Sequence, residues 1–213
     1  MKIGNLFKRG VVMDSSIFED IMKNCTEKKV VSRCKKLIKK SALTNMATAT
    51  TLSELAYWLY IYGHEDEALQ VCEFSHIKEP EPNKINYNVW SFILYVWGLE
   101  VYIYRKRGEE EKAVERIAAM ERIWATPSGV WNTPEIAAAQ NRLIHSRLSF
   151  DDAIYREKIE DAIAENDKSG ANDLRFIALY NLIGDGATGL CPQLEERKDE
   201  VEKLIAEYMQ ALQ

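Results

Sequence analysis

The segment from Val89 to Tyr104, VWSFILYVWGLEVYIY, constrains this chain more than any other stretch. It is apolar on nearly every side of a helix, and such a helix lies inside a bundle or crosses a membrane. The run has only 16 residues and holds Glu100, whereas a membrane span needs about 18 or more with almost no charge. The pattern therefore predicts a buried central helix from about Tyr87 to Arg107, stopped by Gly108, with the rest of the chain packed around it. A 213-residue chain is long enough for this, since it can bury roughly 70% of the surface it exposes when unfolded. Only 10 Gly and 5 Pro are present, which means few turns and favours long helices over many short strands.

Capping signals and helical periodicity organise the flanks. Ser16-Ile-Phe-Glu19 and Thr51-Leu-Ser-Glu54 match the capping box, in which a hydroxyl accepts a backbone N–H and the Glu reaches back. The first opens a helix with Ile17, Phe18, Ile21, Met22 and Cys25 on one face; a second helix runs from about Thr26 to Ala42. Asn45 to Thr50 is small and polar and reads as a loop. The helix opened by Thr51 ends near Gly63, a residue type suited to a left-handed C-terminal turn. Asp66 to about Ile77 follows, and Pro80 and Pro82 break it. Glu109 to Trp124 pairs back on the central helix with Ala113, Val114, Ile117, Met120 and Trp124 inward. Thr126 to Asn132 is the candidate subdomain boundary in what otherwise reads as one helical domain over residues 1–213. Beyond it, Ile136–Arg147 and Phe150–Glu165 make a hairpin, Asn172 caps a helix through Ile183, and a last helix spans Pro192 to Leu212. The fold class is all-α, with about ten helices and no strand.

A repeat lies within this pattern. Leu52-x2-Leu55-Ala56-x2-Leu59, then Gly63, Ala68-x3-Cys72, Ser75 and Pro80 follow the order of a 34-residue helix–turn–helix signature. Residues 49–82 resemble a tetratricopeptide hairpin on these positions. Residues 94–127 resemble it more loosely: Trp97, Tyr104, Gly108, Ala113 and Ile117 keep the same mutual spacings, while Glu100 and Val101 depart from Leu-Gly. Gly63 and Gly108 are 45 residues apart, so an insertion separates the two units. The resemblance implies antiparallel helix pairs stacked as an irregular superhelix that binds a peptide or protein. In that family the first helix of each pair lines a concave groove. Carried over, the groove would hold Ser53, Tyr57 and Tyr60 from the first unit and Tyr95, Tyr102, Arg105 and Lys106 from the second. The Lys/Asn clamp for a C-terminal carboxylate would fall at Ser53 and Tyr57, so it is absent. A Tyr-rich groove with cations at one end suits an extended segment with apolar and acidic side chains.

Few residues suggest chemistry. A carboxylate in a helix as apolar as that of Glu100 must be neutralised, paired or hydrogen-bonded. Its partner could be a Tyr hydroxyl or an Arg; alternatively Glu100 marks an enzyme site in an inter-helix cleft. Gly184-Asp-Gly186-Ala-Thr-Gly189 spells the dinucleotide fingerprint, but a helix and not a strand precedes it, so it reads as a connection. His64, His76 and His145 form no metal-ligand spacing. Cys25, Cys34, Cys72 and Cys191 contain no C-x-x-C and read as small buried hydrophobes of a reducing compartment. No catalytic residue, metal or cofactor is assigned.

Charge is unevenly placed. Residues 1–48 hold 11 basic and 4 acidic side chains, a balance of +7, so the remainder carries −12 of the net −5. Lys28 to Lys40 alone holds Lys28, Lys29, Arg33, Lys35, Lys36, Lys39 and Lys40. Such a helix could meet nucleic acid, an anionic surface, or the acidic helix near Glu195–Glu207 of a second copy as weak self-association. No aromatic residue interleaves, which argues against single-stranded nucleic acid. Met1 to Arg9 is charged and no apolar core follows it, so no secretory signal is read and the expected compartment is the cytoplasm. The leading expectation is a non-enzymatic scaffold, adaptor or inhibitor, for an unknown protein or peptide.

Overall fold

The computed structural model describes residues 15–39, 46–76, 87–125, 152–186 and 198–212. These form α1 (Ser16–Asn24), α2 (Lys28–Ile38), α3 (Met46–Ile61), α4 (Glu65–Phe74), α5 (Tyr87–Lys106), α6 (Glu110–Ala125), α7 (Asp152–Ala164), α8 (Lys168–Gly186) and α9 (Lys198–Leu212). The fold is all-α, and no strand occurs among the described residues. The candidate boundary at Thr126–Asn132 and the helix expected over Ile136–Arg147 lie outside them.

Consecutive helices pack in pairs: α1 with α2, α3 with α4, α5 with α6, and α7 with α8. The pairs join through α2 against α3, α3 against α5, and α4 against α5. Helix α5 is the centre, as its apolar sequence requires. Val96, Leu99, Val101 and Ile103 are fully buried on several sides of it, each contributing roughly 1.5–3 kcal/mol of hydrophobic stabilisation. Helix α8 then lies across both α3 and α5.

Three turns share one hydrogen-bond pattern. At Gly63, the Gly63 N–H donates to Tyr60 O and the His64 N–H to Leu59 O. At Gly108 the bonds run from Gly108 to Arg105 and from Glu109 to Tyr104; at Asn166, from Asn166 to Ile163 and from Asp167 to Ala162. This is the left-handed C-terminal cap that satisfies the last carbonyls of a helix. The cap residues have φ of +86°, +75° and +58°, and Asn is the non-glycine residue that best tolerates that region. Five residues beyond each cap stands a buried alanine, Ala68, Ala113 or Ala171, where the second helix touches the first. The third turn is invisible to a search for glycine.

Several expectations are corrected. Met46 to Thr50, within the segment expected as a loop, is helical, because α3 begins at Met46. Thr48 and Ala49 are buried, and the Thr51 hydroxyl donates to Ala47 O at 2.6 Å, so small polar residues sit inside the helix and Thr51 is satisfied by its own backbone. Thr51 is therefore an interior residue and not a cap. At α1 the N-cap is Ser15, which makes no side-chain cap bond. Helix α8 starts four residues before Asn172, and the Asp167 carboxylate accepts the Gly170 N–H at 2.8 Å as its cap. Val114 points outward, at 54% exposure.

Candidate functional site

Glu100 has no solvent exposure, and three side chains converge on it. His76, just past the end of α4, approaches its two oxygens with Nε2 at 2.7 and 2.9 Å. Arg116 of α6 places Nη2 2.9 Å from His76 Nδ1. A guanidinium only donates, so Nδ1 must accept and Nε2 must carry the proton that goes to Glu100. His76 is thus the neutral middle member of an Arg–His–Glu chain. Arg116 Nε also stands 3.2 Å from Glu100 Oε2, a contact of charges without hydrogen-bond alignment, since Nε is buried and has no hydrogen-bond partner. The guanidinium lies over the Trp97 ring at 4.8 Å. Trp97 Nε1 in turn donates to Ser75 Oγ at 3.0 Å, and Ser75 Oγ to Cys72 O at 2.5 Å. Tyr104 also hydrogen-bonds to Glu100; burial first, then the Glu100 charge and that bond, push the Tyr104 phenol well above its usual range. Both kinds of partner expected for Glu100, a Tyr hydroxyl and an Arg, are therefore present. His76 is the member the sequence did not single out.

The groove residues divide. Tyr57 is fully buried and its hydroxyl donates to Tyr95 O at 3.1 Å. Tyr180 of α8 packs on both, with ring centroids 4.7 Å from Tyr57 and 4.9 Å from Tyr95, and its hydroxyl pairs with Ser53 Oγ at 2.9 Å. The chain's own α8 thus covers this part of the α3–α5 face. The crossing is close: a Cβ on Gly184 would fall 2.7 Å from the Tyr95 ring, and one on Gly98 3.3 Å from Gly184 O. A side chain at position 184 would force the Tyr95 ring to move, and one at position 98 would press on the α8 backbone, so glycine at both lets the helices approach. Tyr60 and Tyr102 form a separate group, edge to face at 5.9 Å, with their hydroxyls hydrogen-bonded. Burial pushes Tyr60 up to about 12. Lys106 Nζ lies 5.4 Å over the Tyr60 ring and 2.8 Å from Glu65 Oε2, while Arg105 is exposed beside Glu110 at 3.5 Å. The resemblance implied one surface for all of them; instead α8 covers Ser53, Tyr57 and Tyr95, Tyr60 is buried, Tyr102 is half-buried, and Arg105 and Lys106 are exposed.

A second histidine–carboxylate pair stands at the other end of α4. His64, the residue before that helix, places Nε2 2.9 Å from Glu27 Oε1, at the start of α2. Glu27 Oε2 is buried and has no hydrogen-bond partner. Cys25, fully buried in the α1–α2 link, brings its sulfur into the same group, with one ligand atom of each residue within 4.8 Å of the others. Partial burial pushes Glu27 up, but the hydrogen bond and charge of His64 and local backbone bonds outweigh it, so its carboxyl sits below the usual range. Burial, then the Glu67 and Glu27 charges, push the Cys25 thiol up to about 11. Cys34 rises to about 12 and Cys72 is also pushed well up, both chiefly by burial, so these thiols are protonated at neutral pH. Cys191 lies outside the described residues.

A protein family matches residues 13–213. The chain belongs to the family of unknown function DUF6707. No curated protein and no solved structure matches it. Site residues in this DUF6707 chain therefore rest on their own chemistry.

Two of the basic residues of the DUF6707 chain's α2 turn inward. Lys29 bonds Asp173 of α8 at 2.8 Å and lies over the Trp58 ring, and Arg33 bonds Glu54 of α3 at 3.1 Å. Lys28, Lys35, Lys36 and Lys39 stay exposed, and Lys40 lies outside the described residues. Part of the N-terminal positive charge is thus met within the chain. Gly184 and Gly186 belong to the end of α8, so the G-x-G-x-x-G string begins in a helix. No helix among the described residues is long and apolar enough to cross a membrane.

Proposed function

We propose that this chain is a non-enzymatic protein- or peptide-binding scaffold of adaptor or inhibitor type, built from tetratricopeptide-like hairpins. The reading is supported by the three turns at Gly63, Gly108 and Asn166, each followed five residues on by a buried alanine. The observation that carries it is the α3–α5 face, which already receives one helix: α8 seats Tyr180 against Ser53, Tyr57 and Tyr95. A face that binds a helix in this way has the aromatic and hydroxyl chemistry of helix-in-groove recognition. The partner's place is the end that α8 leaves open, at Tyr102, Arg105 and Lys106. An acidic side chain there would compete with Glu65 for Lys106. The compartment is the cytoplasm in this reading.

The experiment puts a photoreactive amino acid in place of Arg105 in the full chain, expressed in its own cell. A discrete adduct that Lys106→Glu abolishes is the expected result. A folded protein that gives no adduct overturns the reading. A competing reading makes Glu100 an enzyme site, motivated by the Arg–His–Glu chain with His76 31% exposed at its edge. Both carboxylate oxygens and both imidazole nitrogens are already engaged by the protein, which favours the scaffold.

A further inference from the structure

We propose that Cys25, Glu27 and His64 form a zinc site that ties the α1–α2 link to the turn before α4. The three side chains supply a sulfur, a carboxylate oxygen and an imidazole nitrogen, with one ligand atom of each within 4.8 Å of the others. That donor set selects zinc and its close analogues over calcium or magnesium, which take oxygen ligands. Bound at about 2.0–2.3 Å in a tetrahedron, such atoms sit roughly 3.3–3.6 Å apart. As the ion enters, the 2.9 Å between His64 Nε2 and Glu27 Oε1 would open, Oε2 would turn onto the metal and the sulfur would close in, while Oε1 faces the partly exposed side of the site.

Two observations beyond the juxtaposition point to a cation. Glu27 Oε2 is buried with no hydrogen-bond partner, although its twin oxygen is held by His64. An ion pair with His64 explains one oxygen and leaves the other stranded, at a desolvation cost that a metal ligand does not bear. The field is also negative at the sulfur: the charges of Glu27 and Glu67 both act on Cys25. A divalent ion meets that field, displaces the proton shared by His64 and Glu27, and takes the thiol as thiolate. The thiol proton leaves to solvent and the proton displaced from His64 Nε2 is carried on Nδ1 instead, so binding releases one proton. Glu27 and His64 are 30% and 25% exposed, which leaves a side for entry and for a water as fourth ligand. The backbone is suited to holding the set, since Gly63 fixes the turn just before His64 and two residues span Cys25 to Glu27.

The test is cobalt titration of the metal-free full chain. The expected result is one equivalent bound, with the visible bands of a tetrahedral ion and a sulfur-to-cobalt charge-transfer band in the near ultraviolet. Zinc should displace the cobalt. Cys25→Ser should abolish the charge-transfer band, and His64→Gln should weaken binding at least about tenfold. Because Cys25 is fully buried, its replacement could unfold the protein; Glu27→Gln and His64→Gln, at partly exposed positions, then carry the test, with helix content checked by circular dichroism. The proposal is overturned by an octahedral spectrum, by no binding at tens of micromolar, or by binding unchanged in the folded Glu27→Gln and His64→Gln proteins.

Discussion

Helix α4 has a histidine at each end, and each is bonded to a glutamate from a different helix, yet the two pairs are built oppositely. At the C-terminal end, Glu100 is wholly buried, and His76, Arg116 and Tyr104 enclose it. At the N-terminal end, Glu27 is partly exposed, one of its oxygens has no partner, and a thiol lies beside it. The first is a closed network, and its residues are fixed by what they already bind. The second is an incomplete set of donors. The same two residue types therefore close on an arginine in one place and leave a carboxylate oxygen without a partner in the other. What separates them is a cation: Arg116 meets Glu100, and no arginine or lysine makes an ion pair with Glu27 among the described residues.

The largest test of this contrast is Arg116→Met. Methionine keeps the apolar stem of the side chain but no longer balances Glu100, whose charge is then left buried. Breaking a buried pair on one side costs about 3–5 kcal/mol, and the urea midpoint should fall accordingly. A shift within the range of an ordinary surface pair, about 0–1 kcal/mol, would mean that Glu100 is not enclosed as described. Next in size is Ala68→Leu. Ala68 is fully buried on α4 where that helix meets α3. Overpacking there should cost about 1–3 kcal/mol and displace the helix that carries both histidine pairs. An unchanged urea midpoint would show that the α3–α4 contact is misassigned.

The closed network was half legible in the sequence. A lone carboxylate in Val89–Tyr104 demanded a partner. Arg116 could have been found, since it stands three residues after Ala113 and one before Ile117 on the inward side of α6. His76 could not, because its place depends on where α4 stops, 24 residues from Glu100. Gly63 and Gly108 were legible because a left-handed cap has a strong residue preference. Asn166 fills the same role with a residue that also occurs in ordinary loops. The small polar run before Thr51 misled because buried small side chains and loop residues have the same composition. The covering of Tyr57 and Tyr95 by α8 joins residues more than 80 positions apart, and no local pattern reports it. The open donor set escaped for the same reason: Cys25 and Glu27 are two positions apart in sequence, but His64 arrives through the pairing of α2 with α3.

Glu27→Gln should have a much smaller effect on the metal-free protein than Arg116→Met. The pair it breaks is about a quarter to a third exposed on each side, where ion pairs contribute about 0–1 kcal/mol. The contrast sharpens with zinc. Saturating metal should raise the melting temperature of the wild type and leave Glu27→Gln nearly unmoved, because a ligand stabilises only the state that binds it. Wild type and variant rising together would place the metal elsewhere.

The smallest expected effect concerns a carboxylate between these extremes. Glu65, in the first turn of α4, bonds Lys106 and Arg107 at the end of α5. Partial burial pushes its pKa up, but the hydrogen bonds and charges of Lys106 and Arg107 outweigh it and hold the carboxyl below its usual range. A depressed folded-state pKa means that the unfolded chain binds the proton more readily. The stabilisation is therefore complete above the ordinary glutamate pKa and is lost as pH falls through the lowered value. Glu65→Gln should flatten that part of the stability–pH curve by under about 1 kcal/mol, since Lys106 is half exposed. Added salt should shrink the difference further, as screening acts on exposed charges. A Glu65→Gln curve parallel to wild type down to the acid transition would show that this bridge couples α4 to α5 in geometry only. Such a result would also weaken the case for Lys106 as the cation that an acidic partner captures from Glu65.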